Sequence, residues 1–266
     1  MKFQHVPARR GALWVRQGFA AFAMRPLVYT GLLGAFLFFA FALALIPWLG
    51  GLLSFGLFPL VSLGFMIGTQ LTTQGRFALP TVFLLPLRGP QRRAQLLLCL
   101  GYGLAAMGVA LLVYWLAGAR FVALQQLLYS GNATPEAIDA QLSDPYLQLG
   151  LLSFAVLSSL LSLVYWHAPA LVHWGGMSAS KALFFSVVAC WRNFGAFAVY
   201  ALTWFGVVFV IGTIVNLFLL LLGQPALAKL ISLPVWLMFL SAFYASLFFT
   251  FADSFELDAP DTGSPP

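Results

Sequence analysis

Charge is what this sequence lacks most. Of its 266 residues only 8% are Asp, Glu, Lys or Arg, against 62% that are hydrophobic. A soluble domain keeps roughly a quarter of its residues charged to hold its surface in water, so a soluble globular fold is excluded. Cysteine is scarce too. Cys99 falls in an apolar run and Cys190 beside a basic one, with no CxxC or Cys/His cluster around either. That leaves no disulfide framework and no zinc site, and both thiols read as reduced packing groups. Acidic residues number seven, and none lies inside a long apolar run. Proton relays and ion-coupled carriers keep ionisable groups at membrane depth, which argues against either. There is no P-loop, no GxSxG and no dinucleotide fingerprint. His167 and His173 are separated by a stretch containing Pro169, not set at the i, i+4 spacing of a helical metal pair, and His5 is the only other histidine. The expectation is a non-enzymatic protein with no catalytic residue, no cofactor and no metal.

What the chain has in abundance is apolar sequence rich in Phe, with a mean hydropathy of +0.95. No charge occurs between Arg25 and Arg76. That interval is too long for one membrane span of about 20 residues and fits two, joined by a turn at Pro47-Trp48-Leu49-Gly50-Gly51. The same reasoning places six spans at about 27–47, 52–72, 96–118, 147–171, 193–222 and 230–251. Pro59 is expected to kink the second, and Asp144-Pro145 to open the fourth. The fold class is therefore all-α, a polytopic membrane bundle of six transmembrane helices with an N-terminal amphipathic in-plane helix. Three parts follow: a surface helix in 1–26, the transmembrane domain in 27–251, and an acidic tail in 252–266 expected to be disordered. The first span is read as retained, although Ala42-Leu43-Ala44 mimics a cleavage site.

Eleven of the 13 Lys and Arg fall in alternate segments on the N-terminal side of this topology, and two on the other. The positive-inside rule then puts both termini in the cytoplasm. The cations are scattered rather than run together, which points to anionic lipid headgroups and away from nucleic acid. Residues 8–24 form a helical wheel with Trp14, Phe19 and Phe22 on one arc and Arg9, Arg10 and Arg16 opposite. Such a helix suits the headgroup plane, with packing on the protein's own cytoplasmic surface as the alternative. A second basic segment, 75–93, carries Pro80, Pro86 and Pro90 and reads as a broken interfacial loop. The third, 178–192, is either a separate surface helix or the start of the fifth span. Arg88, Arg92, Arg93, Lys181 and Arg192, with Trp174 and Trp191 near them in sequence, are the candidates for holding an anionic headgroup. Gly64 and Gly68 form a GxxxG in the second span, and Asn216 in the fifth is expected to be buried and hydrogen-bonded; all three are read as helix-packing residues. In the loop near 119–146, Thr134-Pro135-Glu136 resembles a helix start, and the sequon Asn132-Ala133-Thr134 is spoiled by Pro135.

Three stretches carry a likeness to known sequences: Val6-Pro7-Ala8-Arg9 through Arg25-Pro26-Leu27; Pro59-Leu60-Val61-Ser62-Leu63-Gly64-Phe65-Met66; and Ala168-Pro169-Ala170-Leu171 through Lys181-Ala182-Leu183-Phe184-Phe185-Ser186 to Arg192-Asn193. They resemble an uncharacterised family of proteobacterial, chiefly β-proteobacterial, inner-membrane proteins. More distantly the plan is similar to the membrane-anchor domains of some glycerophosphodiester phosphodiesterases, without their catalytic domain. The resemblance implies a bacterial inner-membrane location and brings no activity. The functional expectation is envelope or lipid homeostasis through a basic cytoplasmic face that binds anionic lipid. A small-solute transporter or channel is the alternative, and a membrane enzyme acting on lipid comes last. A polar cavity lined by Asn216, Thr203, Thr213 and serines would favour transport. The sequence leaves the choice between monomer and homo-oligomer open.

Overall fold

In the computed structural model, which describes residues 2–129, 134–221, 223 and 227–256, the chain is helical almost throughout. Helix α1 covers Arg10–Met24 and α2 Pro26–Ala44, and the chain returns through α3 (Gly50–Gly56) and α4 (Phe58–Thr73). A 3-10 stretch at Pro80–Leu84 and the short α5 (Leu85–Arg88) lead into α6 (Arg92–Tyr129). Then come α7 (Pro135–Leu142), α8 (Pro145–Tyr165), α9 (Ala168–Gly175) and α10 (Ala179–Arg192). Helices α11 (Phe194–Leu221) and α12 (Leu227–Ser254) complete the bundle. The only departure from helix-on-helix architecture among the described residues is a two-residue antiparallel pairing of β1 (Lys2–Phe3) with β2 (Phe255–Glu256). Six segments are long and apolar enough to cross a membrane: Pro26–Ala44, Gly50–Thr73, Arg92–Tyr129, Pro145–Gly175, Phe194–Leu221 and Ser232–Ser254. Six crossings leave both chain ends at the same end of the bundle, called here the terminal end.

Prolines set most of the helix starts. Pro26, Pro59, Pro135, Pro145 and Pro169 all sit in a first turn, where a missing N–H leaves nothing unpaired. Pro59 therefore does more than kink the second span: α3 ends at Gly56 and α4 starts anew. Pro169 divides the fourth span in the same way. Asp144 caps α8 by accepting from the Tyr146 and Leu147 amides at 2.9 and 3.0 Å, and Thr134 caps α7 through the Ala137 amide. Helix α6 has 38 residues, about 57 Å at 1.5 Å per residue. It therefore runs well past the expected limit at 118, and Arg120 in the extension meets Asp144 at 3.7 Å.

Of the two places its wheel allowed, helix α1 takes the one packed on the protein itself. Gly11, Trp14, Val15 and Gly18 are all buried, and they face α11 and α12. The helix runs antiparallel to α12, from Arg10 beside Asp253 to Phe19 beside Phe239, whose rings lie 6.0 Å apart. A Cβ on Gly18 would meet Ala242 O and Ser246 Cβ, each at 2.6 Å. Close approach of small residues, rather than lipid contact, therefore positions α1. Trp14 has no exposed surface, so it is not a membrane-surface residue, and Phe19 and Phe22 pack on the protein's own rings. The aromatic arc of α1 meets protein on α11, α12 and α2.

Three further expectations change. The tail does not begin at 252: Asp253 and Ser254 end α12 and Phe255 is buried, while 257–266 lie outside the described residues. The sequon at Asn132 also lies outside them. Asn216 is exposed and donates to Gly212 O of its own helix at 2.8 Å, so it glues nothing to a neighbour. Gly64 is covered by the Phe83 ring and Gly68 approaches Leu32, so the segment 75–93 folds back along α4 instead of lying out as a surface loop.

Candidate functional site

At the terminal end the last residue of one helix break holds three strands of chain together. Asn193, 2% exposed between α10 and α11, accepts from the Val6 amide at 3.0 Å and donates to Gln4 O and Ser254 Oγ. Beside it Asp253 accepts from Arg10 Nε and Nη2 at 2.8 and 2.7 Å and from Trp14 Nε1 at 2.6 Å. These contacts tie the N-terminal segment and α1 to the end of α12. Neither Asn193 nor Asp253 stood out in the sequence, where Asp253 read as the first residue of the acidic tail.

Arg10 is the only cation at this end in an ion pair among the described residues. Arg25 donates to Gly75 O at 2.8 Å and lies 3.8 Å over the Phe77 ring, and Arg192 lies 5.9 Å over Phe3. Arg88, Arg92, Arg93 and Lys181 are exposed with no ion-pair partner among the described residues. Helix α10 arranges two of the predicted cations most clearly. Its inner face, Ala182, Ser186, Ala189 and Cys190, is buried against α8 and α9, with Ser186 Oγ accepting from the His167 amide at 3.0 Å. Burial pushes the Cys190 thiol up to about 12, so it stays a protonated packing group. The outer face exposes Phe184, Val187 and Trp191, with Trp191 79% exposed. At 100° per residue Lys181 and Arg192 fall within about 20° of each other on the edge of that stripe. Trp174 does not join them: half-buried, it stacks on Phe251 at 5.2 Å against the core.

The two histidines of the fourth span sit in different surroundings. His167 precedes α9 at its N-cap position without a side-chain capping bond and is fully buried among Phe197, Phe251 and Phe255, while His173 lies against Trp174. No cluster of metal-ligating side chains forms among the described residues.

Inside the bundle, α8 packs on α6 and α10 and hardly meets α11. A cavity of about 410 Å³ fills the gap, with Ser158, Ser159 and Ser162 on one wall and Tyr200 and Trp204 on the other. Beyond Ser162, Trp166 and Phe243 a smaller cavity of about 120 Å³ is lined by Ser62, Tyr102, Tyr165 and Tyr244. A third, apolar one of about 300 Å³ continues from Trp204 and Phe243 to Trp236 and Leu240. The sequence pointed to none of these, because isolated Ser and Tyr in apolar spans carry no periodicity that marks a cavity. The polar lining it named instead is not assembled: Thr203 donates to Val199 O at 2.7 Å within its own helix, and Thr213 is exposed.

No family model matches the chain, and no solved structure matches it. A probable inner membrane protein of Burkholderia thailandensis is 30% identical over 263 residues, which is 98% of this chain and 96% of that one. The chain belongs to that protein's family. Membership of this inner-membrane family agrees with the six apolar segments and with the resemblance in 6–27, 59–66 and 168–193. The more distant likeness to phosphodiesterase anchor domains gains nothing from it.

Proposed function

We propose that this inner-membrane protein binds anionic phospholipid at a basic, aromatic cytoplasmic face centred on α10. The observation that carries the reading is the outer face of α10, where Phe184, Val187 and Trp191 are exposed between Lys181 and Arg192. An apolar stripe edged by cations is the form an interfacial helix takes, with rings in the acyl boundary and cations at the phosphates. The role foreseen for α1 thus passes to α10. Arg88 at the end of α5 and Arg92 and Arg93 at the start of α6, exposed and without an ion pair among the described residues, extend the basic surface.

The cytoplasmic assignment rests on the Lys and Arg asymmetry, and reporter fusions check it. Fusions after Gln91 and Asp261 should be active only as cytoplasmic reporters and one after Tyr129 only as a periplasmic reporter; a cytoplasmic signal at Tyr129 ends the topology.

For lipid binding the informative variant is Lys181→Gln with Arg192→Gln. It leaves nine Lys and Arg on the inner side, so orientation survives. Each cation near the surface is worth about 1 kcal/mol toward anionic lipid, so the pair should weaken retention of phosphatidylglycerol or cardiolipin roughly thirtyfold. Native mass spectrometry of the folded variant reads this directly. Undiminished lipid adducts would reduce these residues to topology and hydration.

A further inference from the structure

A second site, independent of the basic face, lies in the three adjoining cavities, which share Ser162, Trp166, Trp204 and Phe243 as wall residues. We infer that they form a binding site for a neutral, carbonyl-bearing lipid of the isoprenoid quinone class, with its ring in the tyrosine-lined cavity and its tail along α11 and α12.

Hydrogen bonding gives the first part of the argument. Tyr102, Tyr165 and Tyr244, from three different helices, all line the inner cavity of about 120 Å³, and the rings of Tyr102 and Tyr165 lie 5.0 Å apart. None of the three hydroxyls has a hydrogen-bond partner among the described residues, and the same holds for Ser158, Ser159 and Ser162 in the next cavity. Ser62 and Tyr200, by contrast, are bonded to Pro59 O and Ser246 Oγ. Phenols left as unmatched donors in low dielectric call for acceptor atoms from a ligand.

Charge and shape narrow its class. No charged side chain lines any of the three cavities. A phosphate, an ion or a zwitterion would lose its hydration there without an ion partner. Carbonyl oxygens on a neutral group ask only for the donors present. The walls of the inner cavity are ring faces: Tyr102 and Tyr165 meet edge to face at 5.0 Å, and Trp166 stands perpendicular to Phe243 at 6.1 Å. A flat ring suits such walls better than the branched glycerol of a diacylglycerol.

Polarity then orders the site. From the phenols the cavities pass through the serines of α8 to the purely apolar surface of Trp204, Phe205, Trp236 and Leu240. That gradient matches a polar ring followed by a long apolar tail. Entry from the bilayer follows from the gap between α8 and α11, which share little direct packing.

The test uses the full chain in phosphatidylcholine nanodiscs and a photoreactive benzoquinone with a decyl tail. Labelling should map to peptides around 158–166 and 243–247, and unlabelled decylbenzoquinone should compete. Dioctanoylglycerol, which offers ester carbonyls on a different skeleton, should compete at least tenfold less well. Tyr102→Phe and Tyr165→Phe remove only partnerless hydroxyls and keep the rings. Each should weaken quinone binding about tenfold, and the melting temperature should stay where it was. The assignment is overturned by label elsewhere in the chain, by equal competition from dioctanoylglycerol, or by unchanged affinity in both Tyr→Phe variants. The map on the unsubstituted chain decides the location even if a variant fails to fold.

Discussion

Gly18→Leu should detach α1 from the bundle and lower stability by about 3 kcal/mol or more, the upper part of the range for overpacking a filled interface. A Cβ at this position would already meet Ala242 O and Ser246 Cβ at 2.6 Å. One of those atoms belongs to the backbone of α12 and cannot turn away as a side-chain tip can. A leucine adds three more carbons along the same direction. The variant should melt earlier in detergent, and trypsin should cut faster after Arg9, Arg10 and Arg16 once α1 is loose. Gly34→Leu is the matched control, because nothing lies within 4 Å of a Cβ at Gly34 on α2. Equal melting of the two variants would mean that α1 is not held by close packing.

That contact also shows where the sequence was legible. The six spans were readable because absence of charge over some 20 residues is a one-dimensional signal that lipid enforces. Proline broke two of them internally, Pro59 and Pro169 each falling where one helix closes and the next opens, and the third outran its expected end at 118 because α6 continues to Tyr129. The partner of α1 was not readable in the same way. A wheel with aromatics on one side says that a face is buried, and both lipid and protein can bury it. The deciding signal was Gly11, Trp14 and Gly18 at i, i+3 and i+7, which repeats on α12 as the small residues Ser241, Ala242, Ala245 and Ser246. Small residues on two faces mark backbones that approach each other, which lipid does not require. Helix α10 was half legible. Its cations and Trp191 were singled out, but Trp174 went with them because nearness in sequence was taken for nearness in space. Asn216 failed for a related reason: a polar side chain in a span can bond to its own helix and face outward. The phenol cluster was invisible, since Tyr102, Tyr165 and Tyr244 come from three helices and meet only in the folded bundle.

Asp253→Ala should be the most damaging single truncation of a polar group at the terminal end, lowering stability by about 2–3 kcal/mol. The carboxylate has two different partners, and their contributions separate. Its pair with Arg10 is partly exposed, at 34% and 24% of the two side chains. Water therefore screens it, and Arg10→Ala should lower stability by no more than about 1 kcal/mol. The bond from Trp14 Nε1 is the stronger of the two, because that side chain has no exposed surface and its N–H has no water to turn to when the carboxylate is removed. A hydrogen bond to a charged acceptor is worth about 1.5–3 kcal/mol when its donor is buried. The two cycles, Asp253→Ala with Arg10→Ala and Asp253→Ala with Trp14→Phe, should therefore give unequal couplings, with the tryptophan cycle larger. Salt sharpens the contrast, since 1 M salt shortens the screening length to about 3 Å and weakens only the exposed pair. Thermal melts of the unsubstituted chain, the three single variants and the two double variants in one detergent are enough to measure this. If Arg10→Ala proves as harmful as Asp253→Ala and the difference vanishes in 1 M salt, then surface electrostatics, and not the buried indole, holds α1 to the end of α12.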